Sequence, residues 1–332
     1  MTQAYTTALP CSTARPDRVV LLANPNARRV TRRTLVRVVR LLGLRDAAVM
    51  EIGRAGAART LAARAVKGGA QLVLAAGGDG TLHEIIQVLA GTPTVLGILP
   101  LGTSNDLAHR LAIPDSLDEA LRILTASQSA AVDLLNFGGE RVTTVGGLGL
   151  AAHTARDANS VRAVPALRQL VTALGSGVYP LVAATRIARG GAPAVWYSLQ
   201  RNEDPPVAIR ATAILVGIVR RFGGGLSLAS DCPASPGSFT ALAITAATRT
   251  GLIRTLLRMK AGQPMSGLAT CHTGLHRLVI RTNGLVGAFG DGEWLGLRHR
   301  SVVTIERAAL RVLVPRHNPA FAQHDGRLRE AV

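Results

Sequence analysis

The run Gly77-Gly78-Asp79-Gly80-Thr81 has the residue types most suited to chemistry in this sequence. It follows the apolar segment 71–76, which predicts a buried strand, and precedes segment 82–90, whose apolar residues have helical spacing. Glycines at a strand-to-helix turn let the backbone approach a ligand, and a helix N-terminus offers N–H groups to an anion. Asp79 adds a hard oxygen ligand of the kind that Mg²⁺ prefers. By itself so short a motif fits a phosphate site and a plain glycine turn equally well.

Two further loops follow predicted strands in the same way. The strand predicted at 18–23 ends at Asn24-Pro25-Asn26, and the strand predicted at 95–100 ends at the loop 101–106. Strands that alternate with helices predict a parallel sheet covered on both faces. Because ligands of such sheets bind at the carboxyl ends of the strands, we expect all three loops to meet at one edge.

The pattern divides the chain into two domains. Residues 1–17 read as a flexible tail, residues 18–130 as an α/β domain and residues 131–315 as a β-rich domain, with segment 316–332 a candidate to return to the first. Short β-rich runs separated by Gly, Pro, Asn and Asp predict that the second domain is a mostly antiparallel β-sandwich.

The individual elements follow from apolar spacing and from turn residues. The other helices of the first domain are predicted at 30–43, 55–67, 104–111 and 116–126, with a further strand at 48–52. The strands of the second domain are predicted at 131–136, 142–145, 194–200, 208–219, 239–245, 275–281 and 302–306, with helical insertions at 154–188 and 249–261.

Composition limits the class of protein. Hydrophobic residues form 48 % of the 332 residues but aromatic residues only 3 %, so we expect cores of Leu, Val, Ile and Ala. No apolar run reaches the roughly 18 residues of a spanning helix, and the N-terminus lacks the apolar region of a signal peptide. Three widely separated cysteines, Cys11, Cys232 and Cys271, indicate no disulfide framework and fit the cytoplasm.

The net charge of +18 favours polyanionic partners, namely nucleotides or an anionic membrane surface. The arginines are dispersed and lack the spacing of nucleic-acid-binding motifs, so we expect no nucleic-acid partner. An Arg- and Ala-rich composition also fits codon usage alone. The sequence predicts no oligomeric state.

Four motifs, in order, resemble those of the diacylglycerol kinase catalytic family, which includes bacterial soluble lipid kinases and the sphingosine and ceramide kinases. Asn24-Pro25 looks like the family's NP loop, and GGDGTLHE at 77–84 resembles its GGDGTxNE signature. LPLGTSNDLAHRL at 99–111 is similar to its PxGTxNDxAR loop, and Gly290-Asp291-Gly292-Glu293 resembles its late DGE. NAD kinases and phosphofructokinases share a GGDG turn, but they lack the GTxND partner.

The resemblance implies a parallel α/β nucleotide-binding domain like that of phosphofructokinases and NAD kinases, followed by a β-sandwich that takes the lipid. It implies transfer of a phosphoryl group from ATP, with Mg²⁺, to the hydroxyl of diacylglycerol or a related lipid alcohol, and peripheral contact with the inner membrane face. Glu293 would be the proton acceptor, and Asp79 would act through Mg²⁺ as a metal ligand. The implied nucleotide contacts are Asn24, Pro25, Asn26, Ala27, Arg28, Gly77, Gly78, Asp79, Gly80, Thr81, Leu82, His83, Gly102, Thr103 and Asn105.

Plainer interpretations of these residues stay open. Asn105 is a good helix-start residue, so it could serve only as a cap. The pair Asp291-Gly292 is common in tight turns, which would make Glu293 the flank of a hairpin. Asp133 is a candidate for a carboxylate network at the site. The cluster of Cys271, His272 and His276 resembles a metal site, but three ligands without a fourth favour a solvated loop.

The chain departs from the family pattern where bacterial members carry an acidic pair linked to a structural Mg²⁺. Here Ser235 and Pro236 stand in its place. The leading interpretation, which rests on the four motifs, is a diacylglycerol-type kinase, with a sphingoid-base or ceramide kinase as the first alternative. A catalytically inactive nucleotide- or lipid-binding regulator is the second. The basic helical insertion at 154–188 could lie on a membrane, but we expect its apolar stripe to pack against the sandwich.

Overall fold

A computed structural model describes most of the chain. The described residues are 18–27, 29–43, 48–54, 56–102, 105–126, 128–167, 174, 177–190, 193–219, 221–222, 225–228 and 237–315. They form two compact units, of which the second comprises residues 135–306 and the first the residues on either side. The predictions for segments 1–17 and 316–332 lie outside the described residues.

The described elements, numbered in chain order, alternate between strands and helices in the first part of the chain. The strands are β1 (Val19–Ala23), β2 (Ala48–Glu51), β3 (Leu72–Gly77), β4 (Val95–Pro100), β5 (Gln128–Phe137), β6 (Glu140–Val142), β7 (Val145–Gly149), β8 (Val195–Arg201), β9 (Val207–Ala211), β10 (Ala213–Gly217), β11 (Arg221–Phe222), β12 (Leu226–Ser227), β13 (Phe239–Ile244), β14 (Ala269–Leu275), β15 (Arg277–Gly290) and β16 (Glu293–Val314). The α-helices are α1 (Arg32–Leu41), α2 (Ala57–Lys67), α3 (Asp79–Leu89), α4 (Asp106–Arg110), α5 (Leu117–Ala126), α6 (Leu150–Ala163), α7 (Val178–Ala188) and α8 (Arg249–Ala261), with a 3₁₀ turn at Pro165–Leu167.

The first unit is built on a parallel sheet, as the alternation of strands and helices predicts. Its strand order is β16-β4-β3-β1-β2, and each of these neighbouring pairs is parallel. The last three residues of β1 are fully buried, as expected for a strand covered on both faces. The buried core clusters of this unit contain Leu, Ile, Val and Ala and no aromatic residue, in line with the composition.

The second unit is dominated by antiparallel pairing. Its strands follow the order β14-β13-β10-β7-β15-β16, and each of these neighbouring pairs is antiparallel. Strand β15 pairs with β8 over residues 278–282 and with β7 over residues 288–290. Phe137, Tyr197 and Phe239 are fully buried here. The antiparallel character fits a sandwich, whose layering stays a prediction.

Several predicted boundaries differ from the structure. The strand predicted at 208–219 is two strands separated by Thr212, whose carbonyl accepts a hydrogen bond of 2.9 Å from the N–H of Leu150 at the start of α6. The strand predicted at 142–145 is interrupted at residues 143–144, between β6 and β7. The helix predicted at 82–90 begins earlier, at Asp79, so the last three residues of the glycine run form its first turn.

The prediction of a solvated loop around Cys271 is wrong, because Cys271 and His272 lie on β14, which pairs with β13. His272 contacts Arg201 through its Nδ1 atom, and burial, followed by the charge of Arg201, lowers the pKa of His272. Cys271 is also disulfide-bonded, against the prediction from the cysteine pattern. Alternation alone did not indicate β14, since His272, Thr273 and Gly274 are polar or small.

Among the described residues of the helical insertion, helices α6 and α7 pack on each other. Val178, Tyr179 and Val182 of α7 join Ala158 and Val161 of α6 in one apolar cluster. Val178, Tyr179 and Val182 of the predicted stripe are therefore packed on a neighbouring helix. Leu174 and Leu181 stay exposed, at 38 % and 52 %. Leu170 and Val171, which belonged to the same predicted stripe, lie outside the described residues. No helix among the described residues has the length and apolar character needed to cross a bilayer.

Candidate functional site

Gly77 and Thr81 form a tight turn at the carboxyl end of β3. Gly77 is the last residue of β3, and α3 begins two residues later with the extended Gly78 as its N-cap. A Cβ atom at Gly77 would lie 2.8 Å from both the Cβ and the Oγ1 atoms of Thr81. The first turn of α3 can therefore fold back onto the strand end only because residue 77 has no side chain.

The loop after β4 packs directly on this turn. A Cβ atom at Gly102 would lie 3.1 Å from the backbone nitrogen of Gly78 and closer still to its Cα atom. The N–H of Leu101 donates a 3.1 Å hydrogen bond to the carbonyl of Gly77. Two glycine-containing loops, which follow neighbouring parallel strands, thus meet backbone to backbone at one edge of the sheet.

Asn24, in the loop after β1, connects that loop to the glycine turn. Its Nδ2 atom donates a 2.8 Å hydrogen bond to Thr81 Oγ1, and its Oδ1 atom accepts one of 3.0 Å from the N–H of Asn26. Its own N–H donates to the carbonyl of Ala76 at 2.9 Å. We call Asn24, Gly77, Gly78, Thr81 and Gly102 the glycine-turn cluster. The expected convergence of three loops is observed within the first unit.

The side chain of Asn105 links Pro100, at the end of β4, and nearby Gly102 to Asp115. It is buried and left-handed, with φ of 50°, and its Oδ1 atom accepts a 3.1 Å hydrogen bond from the N–H of Gly102. Its Nδ2 atom donates to Asp115 Oδ1 at 2.8 Å and to the carbonyl of Pro100 at 3.3 Å. Its side chain makes no capping bond to α4. Asn105 therefore fixes the loop and does not act as a conventional side-chain cap.

Asp115 completes this loop network. Its Oδ2 atom lies 2.9 Å from His109 Nε2. Partial burial by itself would raise the pKa of Asp115, but the hydrogen bonds from His109 and Asn105 and the nearby positive charges lower it below the ordinary value. The ionised carboxylate of Asp115 thus stabilises the loop that carries Gly102.

Two acidic residues of α3 have different surroundings. Asp79, the first residue of the helix, accepts a long 3.4 Å contact from the N–H of Leu107 at the start of α4. Glu84 accepts hydrogen bonds from the N–H groups of Gly56 at 2.8 Å and Arg59 at 3.3 Å, so its carboxylate caps α2. Asp79 therefore borders the glycine-turn cluster, whereas Glu84 is used in packing two helices.

The other predicted nucleotide contacts of the first unit have mixed exposure. Leu82 lies in the hydrophobic core, so its side chain faces away from the turn. The exposed residues are Pro25 and Asn26, and the half-buried ones are Ala27, Gly80 and His83. Arg28 and Thr103 lie outside the described residues. Asp133 is buried and accepts a 2.8 Å hydrogen bond from the N–H of Ala308, which gives it a structural role.

In the second unit, residues 290–293 form a β-hairpin, which we call the DGE hairpin. Asp291 and Gly292 link β15 to β16 and both have positive φ, 50° and 83°, as a two-residue type I′ turn requires. The Asp291 carboxylate accepts hydrogen bonds from the N–H groups of Thr143 at 2.7 Å and Thr144 at 2.8 Å, and from Thr144 Oγ1 at 2.7 Å. The hairpin interpretation is confirmed, and Asp291 anchors it.

Glu293, which flanks this turn, is half-buried and faces helix α6. Asn159 of α6 donates through Nδ2 to the carbonyl of Gly292 at 3.0 Å and to Glu293 Oε2 at 3.4 Å. The hydroxyl of Tyr179 packs against Gly292 and accepts a 3.0 Å hydrogen bond from Arg162. The hairpin therefore contacts polar side chains of both α6 and α7.

An arginine and a histidine lie beside Trp294, the residue after Glu293. The Arg156 guanidinium lies 5.1 Å from the centre of the Trp294 ring, and the His153 ring lies 5.7 Å from it. Burial, followed by the charges of Arg186 and Arg156, lowers the pKa of His153. His153 is thus biased towards its neutral form in this positively charged surrounding.

Sequence reasoning missed Asn159, Glu84 and Asp115. Nothing in the sequence indicated Asn159, because its partner lies 134 residues away along the chain. Glu84 stands inside the quoted glycine motif, and the Pro114-Asp115 pair marks a turn, so those two had a signal. No group of three or more His, Cys, Asp or Glu side chains that could hold a metal ion occurs among the described residues.

Comparison with known proteins agrees with the motifs. Residues 18–137 match the family model of the diacylglycerol kinase catalytic domain. A "Probable lipid kinase YegS-like" protein of Citrobacter koseri is 46 % identical over 70 residues, which are 20 % of this chain and 23 % of that protein. A second one, of Cronobacter sakazakii, is 41 % identical over 83 residues, 24 % of this chain and 28 % of that protein. The matched region thus spans only about a quarter of these relatives.

A solved structure shows the same fold. The "putative diacylglycerol kinase" of Bacillus anthracis superposes with a TM-score of 0.72 at 18 % identity, over 92 % of this chain and 99 % of that one. The mixed α/β and antiparallel arrangement is therefore shared with that protein. The resemblance predicted from the motifs is confirmed over residues 18–137, which are similar to the diacylglycerol kinase catalytic domain.

Proposed function

We propose that this protein is an ATP-dependent lipid kinase, which transfers the γ-phosphoryl group of Mg-ATP to the hydroxyl of diacylglycerol or a related lipid alcohol. The observation that carries the proposal is the backbone contact between Gly102 and Gly78. Together with the bond from Asn24 to Thr81, it assembles three loops that are distant in the chain. The catalytic domain match over residues 18–137 supports the same conclusion.

The glycine-turn cluster suits the phosphates of a nucleotide. Helix α3 starts at Asp79, and no side chain makes a capping hydrogen bond at its N-cap, Gly78. The first backbone N–H groups of a helix have no partner within the helix, and its dipole favours an anion there. Because the approach is lined by glycine backbone, phosphate oxygens can reach these N–H groups without meeting a Cβ atom.

The residues present fit a magnesium ion that is shared with the nucleotide. Mg²⁺ is usually held by one or two carboxylates, by substrate phosphates and by water, so a dedicated cage of protein ligands is not required. Asp79 supplies one such carboxylate at the edge of the glycine-turn cluster, and its described contact to the N–H of Leu107 is long, 3.4 Å. When bound, the ion would neutralise charge on the phosphates.

Glu293 is the proposed proton acceptor. A general base must be within hydrogen-bond reach of the hydroxyl whose proton it takes. Glu293 is half-buried and its Oε2 atom accepts a 3.4 Å hydrogen bond from Asn159. Phosphoryl transfer depends on positioning and charge neutralisation, so a fixed carboxylate that takes the acceptor proton completes the chemistry.

The lipid acceptor and the membrane contact are proposed on chemical grounds. A lipid alcohol resides in a bilayer, and the net charge of +18 favours an anionic surface of a membrane. Sedimentation with liposomes that contain an anionic phospholipid tests this: binding at low salt that weakens at high salt is expected. Equal recovery in the supernatant at every salt concentration would contradict it.

Turnover with a panel of lipids tests the kinase proposal. Mixed micelles containing diacylglycerol, a sphingoid base or ceramide are incubated with labelled ATP and Mg²⁺, and phosphorylated lipid is measured. Glu293→Gln should lower kcat by about 10²–10⁴-fold while ATP affinity stays unchanged. Glu203→Gln, which makes the same change at an exposed turn of the second unit, serves as the matched control.

The outcomes separate the candidate functions. Turnover of diacylglycerol supports the proposal, and turnover of only a sphingoid base or ceramide supports the first alternative. ATP binding without turnover of any acceptor would identify a nucleotide-binding regulator. Absence of ATP binding in calorimetry would refute the nucleotide site itself.

A further inference from the structure

We propose that Asn159 is a positioning residue, whose side-chain amide holds Glu293 in the orientation in which it accepts the substrate proton. The inference rests on the proposed function, because it assigns a role relative to the proton acceptor. It adds a residue of α6 to the DGE hairpin, in which the motifs indicate only Glu293.

The amide of Asn159 contacts two successive residues of the hairpin. Its Nδ2 atom is 3.0 Å from the carbonyl oxygen of Gly292 and 3.4 Å from Glu293 Oε2. An amide NH₂ has two N–H groups, so it can donate to both acceptors at once. The shorter bond fixes the amide on the hairpin backbone, and the longer one restrains the carboxylate.

Helix α6 holds the backbone of Asn159 in a fixed position. Ala155 and Ala158, which precede Asn159 on the helix, are buried, at 2 % and 0 % exposure. The Tyr179 hydroxyl of α7 also packs on Gly292 and accepts a 3.0 Å hydrogen bond from Arg162. Gly292 is thus in contact with side chains of both α6 and α7, so the carboxylate of the next residue starts from a restrained backbone.

This arrangement matches what a general base requires. The carboxylate must be ionised and must point at the hydroxyl before transfer begins, and geometry contributes as much as basicity. A hydrogen bond donated to a carboxylate favours its ionised form. Loss of the donor should therefore leave less of the enzyme in its active protonation state at mildly acidic pH.

Kinetics of Asn159→Leu in the full-length chain test the positioning role. We expect kcat to fall about tenfold, the equivalent of one hydrogen bond, with the KM for ATP unchanged. The acidic limb of the pH–rate profile should move to higher pH, a change that a general loss of stability does not produce. Asn159→Asp, which replaces the donor by a second carboxylate, should move the limb further.

Ser160→Ala is the matched control. Ser160 is the next residue of α6, is exposed, and donates its hydroxyl to the carbonyl of Arg156 within the same helix. Its replacement should leave kcat and the pH profile at the wild-type values. Thermal unfolding of all variants separates a folding defect from a catalytic one, and Asn159→Asp retains the size of the wild-type side chain if the leucine variant is unstable.

A readout without turnover separates this inference from the kinase proposal. The protein is labelled with ¹³C at its glutamate carboxyls and titrated with pH by NMR, and the Glu293 signal is assigned by its loss in Glu293→Gln. The titration midpoint of Glu293 should rise by about half a pH unit to one pH unit in Asn159→Leu. If the Glu293 midpoint rises in Asn159→Leu although the wild-type protein phosphorylates no lipid, Asn159 positions Glu293 but the kinase proposal is rejected. An unchanged midpoint together with unchanged kcat would overturn the role of Asn159.

Discussion

Replacing Gly102 by alanine should separate the two glycine loops and abolish nucleotide binding. The new Cβ atom would lie 2.8 Å from Asn105 Oδ1 and 3.1 Å from the backbone nitrogen of Gly78, with the Cα atom of Gly78 nearer still. Non-bonded carbon contacts are optimal at about 3.5–4.0 Å. The loop that carries residue 102 must therefore move by roughly half an ångström or more, because its neighbours are backbone atoms and a buried amide that cannot yield.

The magnitude follows from the neighbours that are displaced. Overpacking a close contact costs about 1–3 kcal/mol, and a displacement of the order of 1 Å in a positioning element can lower turnover by about 10²-fold. The shift also weakens the bond from the Gly102 N–H to Asn105 Oδ1, which is 3.1 Å long. Stability and activity should thus fall together.

Gly53→Ala is the matched control, because a Cβ atom there has nothing within 4 Å and the residue lies in the same unit. Urea unfolding measures stability, and calorimetric titration with ATP measures affinity. We expect a lower unfolding midpoint and lost ATP affinity for Gly102→Ala, and wild-type values for Gly53→Ala. Wild-type stability and ATP affinity in Gly102→Ala would refute the reasoning that the two backbones must touch.

Three further predictions concern acidic residues whose hydrogen bonds stabilise the glycine loops, helix α2 and the DGE hairpin. Glu84→Ala should destabilise the protein by about 1 kcal/mol, because the cap of α2 is lost, as measured by urea unfolding. Asp291→Ala should cost about 3 kcal/mol, since three hydrogen bonds to the ionised carboxylate disappear. Asp115 has a lowered pKa in the folded state, so its contribution should be complete above about pH 4 and should be lost as pH falls through the folded-state value. The stability difference between the wild type and Asp115→Asn should therefore shrink on acidification.

Each of these predictions has a contradicting result. An unchanged urea midpoint in Glu84→Ala would mean that the bonds to the N-terminus of α2 contribute nothing. A cost for Asp291→Ala no larger than that for an exposed carboxylate such as Glu203 would show that the hairpin anchor is dispensable. A difference between the wild type and Asp115→Asn that grows as pH falls below 4 would contradict the direction of the Asp115 shift.

Local pattern predicted much of the first unit because its elements bury continuous apolar runs. Strand β4 was predicted at its observed bounds, as was helix α8 in the second unit. Strand β14 was missed, since its central residues are polar or small and its place depends on pairing with β13. The break at Thr212 was missed for a similar reason: the carbonyl there bonds to the start of α6.

For the site, the sequence by itself determined the three loops, their glycines and their position after parallel strands, because strand polarity and chain direction place carboxyl ends together. It also determined the Asp291-Gly292 turn, which is a local property of two residues. The tertiary structure decided which side chains support them: Glu84 caps α2, Asn105 holds Asp115, and Asn159 contacts Glu293. Hydrogen-bond partners that are many residues apart depend on packing, which no local pattern encodes.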